Sequence, residues 1–117
     1  MPDASLLECF PSPSDTPFVI EHVNEEYTSV CPDFARIILR YQPAKLCVEL
    51  KSLKLYHQSF RNEGIFYEAV TNRMRDDLAA CMKPAWMQLI TEWKGRGGIH
   101  SRIMATHGPV PAEWARG

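Results

Sequence analysis

The sequence predicts an α+β fold, a four-stranded antiparallel sheet carrying two antiparallel helices in the order ββααββ. Three observations predict it. Apolar residues alternate with polar ones on both sides of the chain's middle, and the middle itself switches to helical spacing. Prolines and glycines fall where the spacing changes. A chain of 117 residues, 45% apolar and 23% charged, is one domain with enough apolar content for a core.

The elements follow in order. Residues 1–17 hold Pro2, Pro11, Pro13 and Pro17 among several serines, which reads as an extended arm rather than a folded element. Residues 18–117 form the domain. Its first strand runs from Phe18 to Val30, with a break near Asn24-Glu25-Glu26. "CPDF" interrupts the chain. Ala35, Ile37, Leu39 and Tyr41 then alternate with Arg36 and Arg40 until Pro43. Leu50, Leu53, Tyr56 and Phe60 follow helical spacing, and Asn62-Glu63-Gly64 is its stop. Phe66, Val70, Met74, Leu78 and Cys81 make the apolar stripe of a second helix, closed by Pro84. Met87, Leu89, Thr91 and Trp93 alternate up to "GRGG". Ile99, Ile103 and Ala105 alternate after it. The tail "HGPVPAEWARG" is irregular. A four-stranded sheet leaves two open edges, which pairing into an oligomer would cover.

Thirteen basic against fourteen acidic residues give no overall field for nucleic acid. No apolar run approaches the ~18 residues of a membrane span, and the first residues lack a signal-peptide pattern. Cys9, Cys31, Cys47 and Cys81 form no CxxC pair and read as free thiols of a reducing compartment, hence a cytoplasmic protein. His22, His57, His100 and His107 show no metal-ligand spacing. Trp86, Trp93 and Trp114 read as core or interface residues.

Several residues could carry chemistry. Cys31 stands at a strand break with Asp33 at i+2. This pair is either a thiolate nucleophile with a proton donor or a half-buried thiol before a turn. Lys51 and Lys54 share a helix face, with Arg61 close to it. The row is either a phosphate site or a solvated face. Glu49 and Glu68 bracket the two helices, and a glutamate beside apolar residues can hold the N–H edge of a purine-like ring. Arg96 in "GRGG" allows close approach to an anion, or simply marks a turn.

"ELKSLKLY", Glu49 to Tyr56, resembles the signature of the NADPH-dependent 7-cyano-7-deazaguanine reductases, the QueF nitrile reductases. "LECFPSPS", "EYTSVCP", "SFRNEGIFYEAVTNR" and "GRGGI" are similar to further segments of that family in the same order. The resemblance covers roughly Leu7 to Ile103. It implies the tunnelling fold, with subunits joined edge to edge and active sites between them. It also implies reduction of a nitrile to an amine by NADPH, in making the deazaguanine of queuosine in tRNA. The substrate would be a small deazapurine, with no direct contact to nucleic acid or membrane. Carried over by position, Cys31 is the residue that adds to the nitrile as a thioimide, and Asp33 is the proton donor. Glu68 would hold the deazaguanine ring, with Glu49, Leu50, Ser52 and Tyr67 near the substrate. Lys51, Lys54 and Arg96 would lie near the NADPH phosphates. No metal is implied.

The chain departs from the family twice. Family members usually read Cys-Pro-x-x-Gly-x-Pro-Asp-Phe, whereas Cys31-Pro32-Asp33-Phe34 lacks the central segment. Two residues span at most about 7 Å, and i and i+2 share a strand face, so nucleophile and acid stay close. Tyr67 stands where many members have His, and a phenol is the weaker acid. An alternative reading is a purine-binding or assembly subunit with weak or no reductase activity. A further one is a related enzyme that uses the thioimide to form an amidine.

Overall fold

The computed structural model describes residues 2–28, 34–61, 64–95 and 97–115, apart from the side chains of Glu26 and Thr28. Period-two alternation builds the main sheet as expected. Its strands are β2 (Ile20–Thr28), β3 (Phe34–Gln42), β5 (Trp86–Trp93) and β6 (Ser101–His107), in the order β2-β3-β5-β6 and all antiparallel. Between β3 and β5 come helices α1 (Leu50–Gln58) and α2 (Tyr67–Met82). The break expected near Asn24 is a shift of register between Asn24 and Tyr27 within a continuous β2. Such a bulge twists the strand without ending it.

The core lies on one face of the sheet. Ile37, Leu39 and Tyr41 of β3 and Met87 and Leu89 of β5 are buried there, under Leu53 and Tyr56 of α1 and Val70, Met74 and Leu78 of α2. Each such apolar side chain contributes roughly 1.5–3 kcal/mol by leaving water. α1 starts because Glu49 caps it. α2 ends at Lys83, which takes a left-handed conformation (φ 48°) before Pro84. Pro84 cannot continue a helix.

The proline-rich arm is more structured than its composition implies. Ala4–Leu6 form a 3-10 turn, and β1 (Cys9–Pro11) pairs with β4 (Leu46–Val48) in a separate two-stranded sheet. Strands of three residues are too short for periodicity to reveal. Pro11 is tolerated because it ends an edge strand, where an N–H can be spared. The irregular tail also packs. Gln88 donates to the Trp114 carbonyl at 2.9 Å, Trp114 lies against Trp86, and Arg40 sits over its ring. The tail thus covers part of the sheet face opposite the helices.

Candidate functional site

Two regions carry the residues of interest, and the packing of aromatic rings connects them. The first is the start of α2. Thr71 donates to the Tyr67 carbonyl and shares a buried 2.6 Å hydrogen bond with Thr91 of β5. The Trp93 indole donates to the same Thr91 hydroxyl at 2.8 Å. This polar chain fixes the first turn of α2 on β5. It sets the Tyr67 ring flat on Trp93, with centroids 3.9 Å apart and planes 8° apart. Glu68 is exposed in the same first turn, where a carboxylate complements the helix N-terminus. Trp93 pairs with Ala35, next to Phe34. Thr28 and Phe34, which flank Cys31 and Asp33 in the chain, pair with each other at this end of the sheet. Cys31, Asp33 and Arg96 themselves lie outside the described residues. A cavity of about 650 Å³ opens here, lined in part by Phe34, Trp93, Lys94 and Arg102.

The second region is a groove of about 410 Å³ between edge strand β2 and α1. Leu50, Lys54 and Arg61 line one side, with Val23 and Glu25 opposite. Tyr67 and Glu68 are not part of its walls. Lys51 and Lys54 are exposed, one turn apart. Among the described residues neither they nor Arg61 pair with a carboxylate.

At the groove floor lie His57 and Tyr27, whose rings meet edge to face. The Asn24 amide nitrogen donates to His57 Nδ1 at 2.9 Å, so the ring proton sits on Nε2. Neither His57 Nε2 nor the Tyr27 hydroxyl has a hydrogen-bond partner among the described residues. Burial pushes the His57 imidazolium pKa down to about 4, and it pushes the Tyr27 phenol up. Both side chains are neutral at physiological pH. Tyr27 also meets Trp93 edge to face at 5.8 Å. The rings Tyr67, Trp93, Tyr27 and His57 therefore form one packed row from the start of α2 to the groove.

Two expected substrate residues have demanding structural duties. The Glu49 carboxylate accepts from the backbone N–H groups of Lys51 (2.7 Å) and Ser52 (2.8 Å), which caps α1. The buried Ser52 hydroxyl accepts from the Glu8 N–H at 3.0 Å and donates to the Glu49 carbonyl, which ties the arm to the helix. Leu50 is more than half exposed and faces the groove. Sequence reasoning passed over Trp93, Thr71, Thr91, Tyr27 and His57 as parts of a site. Alternation did point Trp93 inward. Nothing in the sequence links His57 to Asn24.

The family model described as QueF-like protein matches residues 32–111. The chain belongs to the QueF-like family. Relatives across most of its length agree. The NADPH-dependent 7-cyano-7-deazaguanine reductase of Anaeromyxobacter sp. (strain K) is 54% identical over 91% of this chain and 92% of its own. The reductase of the same name from Chloroherpeton thalassium is 53% identical over 87% and 93%. Among solved structures, the apo form of an archaeosine synthase QueF-Like aligns with TM-score 0.67 over 84% of this chain and 99% of its own. At 17% identity that likeness speaks for the tunnelling fold alone. The α+β arrangement of antiparallel sheets and two helices thus agrees with that fold.

Proposed function

We propose that this chain is an NADPH-dependent reductase of the nitrile of 7-cyano-7-deazaguanine, giving 7-aminomethyl-7-deazaguanine for queuosine synthesis. The observation that carries this reading is identity above one half, over nearly the whole length, to proteins of that name.

A nitrile carbon is a poor hydride acceptor. In this reading the Cys31 thiolate adds to it while Asp33 donates a proton to the nitrogen, and the resulting thioimide accepts hydride readily. Glu68 would take the N–H edge of the deazaguanine. Its place beside the Tyr67–Trp93 stack, at the sheet end reached by Thr28 and Phe34, supports this. Leu50, Glu49, Ser52 and Tyr67 would shape the pocket, Glu49 and Ser52 by holding the start of α1 in place.

The cations suit NADPH. Lys51, Lys54 and Arg61 carry no carboxylate partner among the described residues, and Lys54 and Arg61 line a groove with an apolar side at Leu50 and Leu53. Lys51 and Lys54, with Arg96, would hold its phosphates. When bound, NADPH supplies the two hydrides that nitrile-to-amine reduction requires. Cys31 leaves as thiolate between them, which opens the imine to the second. Sites shared between subunits of a homo-oligomer complete the reading.

The test is to follow NADPH absorbance with 7-cyano-7-deazaguanine present and to identify the product by mass. About two NADPH consumed per amine formed is expected from the electron count. The shortened Cys31–Asp33 spacing favours the non-reducing subunit as the rival. Substrate binding with no NADPH oxidation would select that rival.

A further inference from the structure

Three of the four cysteines meet where the arm, β4 and α2 converge. Cys9 lies on β1, Cys47 on β4 and Cys81 in the last turn of α2. β1 and β4 pair so that Cys9 is opposite Val48 and Phe10 is opposite Cys47. The Cys9 and Cys81 sulfurs stand 2.8 Å apart and both residues are partly exposed, whereas Cys47 is buried. Two sulfurs at that separation need to close by under about 1 Å to bond.

We propose that Cys9 and Cys81 form a redox-conditional staple, a dithiol that a peroxide converts into a disulfide. The two thiols give up two electrons and two protons, one S–S bond forms, and the peroxide O–O bond breaks to give two waters. The first oxidation makes a sulfenic acid on one sulfur. The second sulfur displaces its oxygen as water.

The bond would join residues far apart in sequence and tie down the arm. In the reduced protein the arm is held by hydrogen bonds. The Glu8 N–H donates to Ser52, the Asp3 N–H to Ser59, and the Ser12 N–H to the Lys45 carbonyl. The first contact holds the arm to the start of α1, which carries the "ELKSLKLY" residues, the second holds it to the end of α1, and the third holds it to the residue before β4. A covalent link from β1 to α2 would make their opening rarer. Burial, then the neighbouring Cys81, push the Cys9 thiol up to about 12. Thiolate is therefore scarce at neutral pH, and oxidation quickens as pH rises.

The staple is tested on the full chain by treatment with hydrogen peroxide, alkylation of the remaining thiols, and non-reducing digestion. Cleavage after Glu21 separates Cys9 from Cys31. The expected product is a Cys9–Cys81 linked peptide about 2 Da lighter than its two parts, restored by reductant. Amide exchange at residues 8–12 should slow about tenfold in the oxidised protein. Recovery of Cys9 and Cys81 both alkylated would overturn the proposal, as would linkage of either to Cys31 or Cys47. Cys81→Ser should abolish the linked peptide, and persistence of a Cys9 disulfide in that variant would also overturn it.

Discussion

His57 is the residue whose chemistry most constrains the protein. Its ring is buried against Tyr27 and Tyr56, with Asn24 on Nδ1, and among the described residues no carboxylate pairs with it. In the unfolded chain it titrates near 6.5, and in the folded protein near 4. Between those values the unfolded state binds the extra proton, so stability is full above about 6.5 and falls as pH drops toward 4. The loss is on the order of 3 kcal/mol. Urea unfolding of the wild type and His57→Phe at pH 7 and pH 4 checks this. The wild type should lose more than the variant by that amount, whereas equal losses would place the ring in water or beside a charge. No periodicity announces such a pairing. Asn24 and His57 are brought together only by packing α1 over the edge strand. Glu49 was legible as important, but the capping of its own helix, not only contact with a ligand, explains why a glutamate stands there.

Elements were legible in proportion to their length. β3 and β5 alternate over eight or nine residues, so their faces could be read directly. Of the stripe expected on α2, Val70, Met74 and Leu78 are buried, whereas Phe66 caps the helix and is exposed, Cys81 is only partly buried, and Thr71 and Met82 complete the buried face. β1 and β4 have three residues each and exist because a partner is near. The open elements lead to a prediction. β2 and β6 are the edges of the main sheet, and Val19, Val23 and Met104 on or beside them are exposed. Unprotected edges of this kind pair with further chains. Analytical ultracentrifugation should give a homo-oligomer several times the 13.4 kDa chain. A single monomeric species at every concentration would contradict edge pairing.

At the scale of the molecule, the residues assigned to the proposed reaction fall in two separate regions. The start of α2, with Glu68 and Tyr67, lies at one end of the sheet. The cations of α1 lie along the groove beside β2. The ring row Tyr67–Trp93–Tyr27–His57 holds these regions in a fixed relation, which the linear sequence does not display. The order ββααββ could be read from spacing because hydrophobic period is a local property. The site could be read only as far as its motif, since its partners come from strands distant in the chain. No helix among the described residues is long and apolar enough to cross a membrane. In the proposed reaction Cys31 attacks the nitrile despite the short link to Asp33. The most direct measurement of this step is the mass of the intact chain after incubation with 7-cyano-7-deazaguanine without NADPH, followed by peptide mapping. One added substrate mass on Cys31 is expected, absent in Cys31→Ala. An unmodified wild type, or an adduct that survives in Cys31→Ala, would contradict it.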